Sequence, residues 1–433
     1  MKRKTIILGA GLSGLVAGCA LQNNGNDDFI ILEACPTPGG LTRTVNVDNF
    51  CFDYTGHFLH LAKYKTPEDI PFAHLHNQDW QPVNRHAVCY LSGGFVPAPA
   101  QYNIGLIPEP MKSACIDSFN NRPQNQTVAD FHEYLIQGFG KTLAQDFLIP
   151  QNEKTWGADL KQLSMDAAKR FFPPPDDTKI RQGIAKTKAD PISSGYNSSF
   201  YYPLNGGIER LINGFARNIR KHICLLRQCV QVDVKNKTIL DNYGNKYEYE
   251  TLISTIPLKT FCALTNDTAL QTAAATLTHG GCIAIDLGIK GDLAPELSDV
   301  HWIYVPEKDL PFYRVGIYSN VTQGMAPKGC HALYVEIGLT PERQKQSLQT
   351  IYLDAIQKLH SLGWINATQI IASVTHIIPC SYIHFNHNYQ ATVPQLLQTL
   401  EEHQIYGLGR YGRWEYTSME DGIAQAIQLI EKI

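Results

Sequence analysis

"TIILGAGLSGLVAGCALQNNGNDDFIILE" spans residues 5–33, and two readings compete for its first half. From Met1 to Cys19 the chain has three basic residues, an apolar run and then "VAGC", the outline of an export signal cut before a lipid-bearing Cys19. The same residues also read as strand, phosphate-binding turn and helix. Thr5 to Gly9 is a short β-rich apolar run of the kind buried in a parallel sheet. Gly9, Gly11 and Gly14 then form Gly-x-Gly-x-x-Gly around Leu12 and Ser13. The helix that follows runs past Cys19 to about Asn24 and stops at Gly25, and Phe29 to Glu33 is a second buried strand. Gly9 permits the tight turn, Gly11 lets the backbone approach a pyrophosphate, and Gly14 lets helix and strand pack closely. The helix amino terminus attracts the phosphate charge. Glu33 stands nineteen residues after Gly14, the place of an acid that accepts hydrogen bonds from ribose hydroxyls. An export signal explains neither the glycine spacing nor Glu33. The segment is therefore read as a dinucleotide site, with Cys19 a buried free thiol.

The next stretch, "ACPTPGGLTRTV", begins at Ala34 and carries Gly39–Gly40, Leu41 and Arg43. Paired glycines make a loop of bare backbone that can pack against a cofactor, with a cation just beyond. "FCFDYTGHFLH" then leads to His57 and His60. Histidines three apart ligate metals on helices, but the glycine and β-rich flanks disfavour a helix here. No metal is expected. A histidine beside a ring system or a substrate fits better.

The wider chain sets limits. It has 433 residues, 44% apolar and 18% charged, with a net charge of −3. That composition fits a globular protein of two to four domains and offers no basic stripe for nucleic acid. The eleven cysteines contain no Cys-x-x-Cys pair, which argues against a disulfide framework or zinc site and for a reducing, cytoplasmic setting. No stretch approaches the ~20 apolar residues of a membrane span.

Residues 85–202 read as a hairpin followed by helices, the helical spacing breaking at Pro150 and a linker falling at Phe171 to Asp177. "ICLLRQCVQVDV" and "KYEYETLISTIPL" are strands placed to return to the first sheet. Residues 279–340 are strand-rich and form a second sheet. The last unit is strand, glycine turn and helix, with Glu420 and Asp421 in the helix's first turn, where they suit its dipole. The fold expected is α/β. A Rossmann-like dinucleotide-binding domain, a parallel sheet with helices, is interwoven with an α+β substrate domain. The dinucleotide-binding parts, FAD-binding on the resemblance given next, are 1–84, 203–278 and 401–433; the substrate parts are 85–202 and 279–400.

"GAGLSGL…ILEA…PGGLTRT" resembles the amino-terminal signature of the FAD-binding flavoenzymes, which include amine oxidases, protoporphyrinogen oxidase, phytoene desaturases and UDP-galactopyranose mutase. The resemblance implies FAD, with Glu33 on the adenosine ribose and the Gly39–Arg43 loop along diphosphate and flavin. Three further stretches resemble the mutase. "NEKTWGADLKQLS" places Trp156 and the later Arg170 where the mutase meets uridine and diphosphate. "PFYRVGIYS" puts Arg314 where an arginine faces substrate near the flavin. "GRYGRWEYTSM" aligns Arg410, Trp414, Tyr416 and Met419 with the mutase's flavin-binding finish.

The resemblance thus implies cofactor contacts at Gly9, Gly11, Leu12, Ser13, Gly14, Glu33, Ala34, Gly39, Gly40, Leu41, Arg43, His57, Gly409, Arg410, Ser418 and Met419. It implies substrate contacts at Trp156, Arg170, Arg410 and Tyr416, with His57 and Arg314 catalytic. Arg170, Arg314 and Arg410 would clamp a diphosphate, and a reduced flavin would act through N5. Two departures bear on the substrate: Ser418 replaces an aspartate and Trp414 replaces a tyrosine. Two reactions follow from the resemblance. One is a mutase-like reaction on a UDP-sugar. The other is hydride transfer from a small organic substrate, as in amine oxidases or protoporphyrinogen oxidase. Either uses a small-molecule substrate, and NAD(P)H or another electron donor is a possible partner.

Overall fold

The computed structural model describes residues 1–123, 127–167, 172, 174–189 and 198–433. In chain order the first nine strands are β1 Lys2–Leu8, β2 Phe29–Leu32, β3 Thr44–Val47, β4 Phe50–Asp53, β5 Trp80–Asn84, β6 Ala87–Leu91, β7 Gly94–Pro97, β8 Ser199–Pro203 and β9 Ile223–Cys224. They are followed by β10 Cys229–Asp233, β11 Thr238–Asp241, β12 Lys246–Ser254, β13 His279–Lys290, β14 Trp302–Tyr304, β15 Arg314–Ile317, β16 Cys330–Gly338, β17 Ile370–Ile383 and β18 Ile405–Gly407.

The first sheet runs β10-β11-β12-β1-β2-β9, with β18 also paired to β12. β1 lies parallel between β12 and β2, buried from Thr5 to Leu8, which is why that run carries no alternation. The strands between residues 223 and 254 do return to this sheet, as their sequence suggested. Helix α1 (Leu12–Asn23) leaves the carboxyl end of β1 and packs on the last helix, Met419–Lys432. Its small residues are required: a Cβ on Gly18 would lie 2.8 Å from Ile219 Cδ1 and 2.9 Å from Ile31 Cδ1. "VAGC" is thus a helix fitted tightly to its sheet. Cys19 is a buried free thiol, pushed up to about 12 by desolvation. None of the eleven cysteines is in a disulfide.

The second sheet runs β17-β13-β16-β15-β14-β6-β7. Its strands alternate between two faces. Ile283, Ile285, Leu333, Val335, Val315 and Ile317 form one apolar face, packed with the helix Leu348–Ser361. The opposite face carries Asp286, Gly288, Arg314, Gly316, Tyr334 and Glu336. It meets the β3–β4 hairpin: Phe50 lies over Gly288, and Tyr318 Oη donates to Asp53 O at 3.0 Å. The candidate site residue of this sheet, Arg314, stands on that inner face.

Two local expectations change. The chain does not break at Pro150. A π-helical turn at Ala144–Leu148 feeds directly into the helix Ile149–Trp156, and this wider turn accommodates Pro150, which has no N–H to give the ladder. Glu420 does more than suit a helix dipole. It is 3% exposed, and its carboxylate accepts from the backbone N–H groups of Ala62, Lys63 and Tyr64 at 2.6–3.0 Å. Asp421 forms a capping box with Ser418. The predicted linker at 171–177 lies partly outside the described residues.

Glu420→Ala strands three backbone donors and is expected to lower the unfolding free energy by about 3 kcal/mol, with a smaller loss for Glu420→Gln. Denaturant midpoints measure this. An unchanged midpoint for Glu420→Ala would show that the 62–64 loop is held by other contacts.

Candidate active site

The first half of the site is made of two loops of bare backbone. The turn after β1 is closed by Gly14, whose hypothetical Cβ would lie 2.0 Å from Gly9 O. The Gly39–Gly40 loop docks onto this turn: Gly39 N–H donates to Ala10 O at 2.8 Å. A Cβ on Gly40 would stand 3.3 Å from Gly11 Cα, so the two main chains meet with no side chain between them. Glu33, 8% exposed, ties the turn to the end of β2. Its Oε2 accepts from Ala10 N–H at 2.7 Å and its Oε1 from Cys35 N–H at 2.8 Å. Further lone pairs on this carboxylate remain for hydroxyl donors. Ala34 is exposed beside it. Leu12 and Ser13 open α1, and Ser13 Oγ lies against Gly409. Leu41 packs on Cys282, Tyr313 and Ile378 of the second sheet side. Bare backbone, a helix amino terminus and a terminal acid are what a dinucleotide diphosphate and ribose require, and these residues fit one.

The second half gathers around His57. Burial first, then the Arg410 charge, push its pKa down to about 4; Arg314 acts in the same sense and Glu336 against it. Its Nδ1 lies 3.3 Å from Thr55 Oγ1. His57 is therefore an uncharged ring between two cations. Arg314 is not a free clamp, because it forks onto Glu336 (Nε to Oε2 2.7 Å, Nη2 to Oε1 2.5 Å) across the β15–β16 register. Burial works against its charge, and Glu336 more than offsets that, holding the guanidinium protonated.

Arg410 lies 4.2 Å over the Tyr416 ring and 5.5 Å from the Tyr382 ring, and Nη2 donates to Ser381 O at 3.0 Å. Its Nε–H is buried and has no hydrogen-bond partner among the described residues. Trp156, 4% exposed, completes this wall, its ring 5.8 Å from Tyr416 and 5.6 Å from Tyr382. Trp156 is both packed core and part of the group around Arg410. An orphaned buried guanidinium N–H beside flat aromatic faces suits an anionic ligand with a ring.

Other expected residues fall elsewhere. Arg170 lies outside the described residues. Trp414 is buried in the cluster beneath the first sheet, its carbonyl taken by Tyr389 Oη at 2.8 Å. Ser418 caps the last helix, accepting from Asp421 N–H at 3.2 Å; Met419 starts that helix and Gly409 the short turn Gly409–Gly412. His60 faces Ser199 O instead, at 3.0 Å. Among the described residues no group of three His, Cys, Asp or Glu could hold a metal, and no helix is long and apolar enough to cross a membrane. Sequence reasoning missed Glu336, Tyr382, Asp286 and His376. The acids had a signal, since each interrupts an otherwise apolar strand, but nothing in the sequence set the register that brings Arg314 opposite Glu336.

A family model described as an NAD(P)-binding Rossmann-like domain matches residues 7–68. The crystal structure of a reduced UDP-galactopyranose mutase matches over 99% of this chain and 95% of its own, with a TM-score of 0.92 and 25% identity. The chain has the fold of the FAD-binding flavoproteins. A protoporphyrinogen oxidase homologue from Exiguobacterium sp. 255-15 shares this flavoprotein fold at TM-score 0.74 and 16% identity, covering 99% of this chain and 98% of its own. So does the cyclohexylamine oxidase of Brevibacterium oxydans IH-35A, at 0.69 and 13%, covering 99% and 98%. These last two similarities speak for the fold alone.

Because His57 is desolvated between two arginines, its ring signal is expected not to titrate between pH 7 and 5. Arg410→Gln should move its titration upward. Histidine NMR with His57→Asn for assignment reads both, and a His57 that titrates near the ordinary 6.5 in the intact protein contradicts the arrangement.

Proposed function

We propose that the chain is a FAD-dependent enzyme acting on a nucleotide sugar of the UDP type, as the mutase does by its name. The observation that carries this reading is the Arg410 group: a buried guanidinium with an unpartnered N–H, walled by Tyr382, Tyr416 and Trp156 and within charge reach of His57. A pyrimidine nucleoside diphosphate offers phosphate oxygens to the arginine and a base to the aromatic wall.

When bound and reduced, FAD would supply a nucleophilic ring nitrogen able to displace a nucleoside diphosphate from an anomeric carbon. Gly9, Gly11, Gly14, Gly39 and Gly40 would hold the dinucleotide backbone, and Glu33 would accept from the ribose. Arg410 neutralises the departing diphosphate, assisted by Arg170. Arg314, already neutralised by Glu336, orients groups at the reacting centre rather than adding net charge. His57, uncharged, exchanges one hydrogen bond there without a further cation. The aromatic wall, with Trp156 buried and Tyr382 and Tyr416 half-buried, limits water at the diphosphate. Reduction of a bound flavin would call for an electron donor such as NAD(P)H.

The second reading is an oxidoreductase that removes hydride from an amine or a reduced ring; Ser418, standing where the mutase has an aspartate, counts against a mutase substrate without naming another. Titration with UDP separates the two. On the first reading UDP raises the melting temperature and perturbs the flavin absorbance. Arg410→Ala then weakens UDP at least tenfold, about 1.4 kcal/mol, with FAD retained. No response to UDP, together with flavin reduction by an amine or a porphyrinogen, overturns it.

A further inference from the structure

One column of side chains crosses from the second sheet to the cofactor loop, and the proposed reaction uses neither of its far members. The Arg43 guanidinium lies 4.5 Å over the Tyr54 ring. Tyr54 stacks on His376 of β17, with centroids 4.0 Å apart and planes inclined by 23°. His376 Nε2 faces Asp286 Oδ2 of β13 at 3.5 Å. Asp286 is fully buried, and neither of its oxygens nor His376 Nε2 has a hydrogen-bond partner among the described residues.

The near end of the column is the loop itself. Arg43 Nε donates to Gly40 O at 2.8 Å, and the Arg43 stem fills the space where a Gly39 Cβ would stand, 2.6 Å from Arg43 Cγ. Gly39 in turn hydrogen-bonds Ala10 in the glycine turn. Burial favours the uncharged form of both far members. Burial, then the Arg43 charge, holds the His376 pKa below its usual value. Burial, with Asp53 and Glu336 nearby, holds the Asp286 carboxyl well above its own. A cation at His376 would repel Arg43; a neutral ring supports Tyr54 as the platform for it.

We infer that His376 is a positioning residue for the cofactor loop: by stacking on Tyr54 it fixes Arg43, and so presses Gly39–Gly40 onto the glycine turn. The second sheet thereby sets the affinity of a dinucleotide site built on the first. This inference rests on the FAD reading of the two glycine loops.

The test is a double-mutant cycle on the full chain, with FAD titrated into apoprotein and flavin fluorescence quenching as the readout. His376→Ala should weaken FAD about tenfold, and Arg43→Ala/His376→Ala should be no weaker than Arg43→Ala alone by more than about twofold. His376→Phe keeps the aromatic face and should bind within about threefold of the unaltered chain, a rescue that a loss of general stability would not give. The inference is overturned if His376→Ala binds FAD like the unaltered chain, if the two losses multiply, or if His376→Phe is as weak as His376→Ala. Should the melting of apo His376→Ala show it unfolded, Tyr54→Leu replaces it in the cycle, with the same non-additivity required. An unaltered chain that does not quench FAD at all removes the flavin reading itself, and this inference with it, before any variant is compared.

Discussion

Two stretches of main chain, at Gly11 and at Gly40, come together with nothing between them, and the rest of the molecule is arranged around that approach. It needs α1 to start immediately beyond the turn and to pack flat on its sheet, hence the run of small residues through Gly18. It needs the 39–43 loop to stay folded with no side chain at its crest, so the support comes from outside. Ala10 and Glu33 hold one flank, and Arg43 and Leu41 the other. The last helix then presses on α1 from behind, with Gly422 against Ser13 and Glu420 pinning the 62–64 loop.

The second sheet solves a different problem. One face is an ordinary apolar core. The other has to present charge to a buried space, and it does so in compensated units. Arg314 is matched by Glu336. Facing the sheet, Asp53 of the β3–β4 hairpin is satisfied by Thr44, Tyr202 and the Ile208 N–H, although burial still pushes its pKa up to about 7. Against this neutralised background Arg410 stands out as a buried cation with a spare donor, surrounded by tyrosines rather than acids. That contrast is what the proposed anionic substrate group rests on.

The dinucleotide half was legible in sequence because it is local. Gly9, Gly11, Gly14, Glu33, Gly39 and Gly40 sit within forty residues of one another, and their spacing is the geometry. The first sheet was legible for the same reason, since β-rich runs at 223–254 had one place to go. The half around His57 and Arg410 was only partly legible. Arg410, Tyr416 and Trp156 were found through a resemblance, and they do meet. Their partners depend on strand register, which no local pattern fixes, so Glu336 opposite Arg314 and Tyr382 over Arg410 went unseen. Pro150 was misjudged because a π turn before it supplies the slack that a regular helix lacks.

The central claim is that Gly11 and Gly40 make a FAD site by leaving their backbones bare. Calorimetric titration of the apoprotein with FAD tests it most directly, comparing the unaltered chain with Gly40→Val. The account predicts one FAD per chain for the former. For the latter it predicts loss of binding at unchanged secondary structure by circular dichroism. FAD bound equally well by a folded Gly40→Val chain, or not bound by the unaltered one, would contradict it.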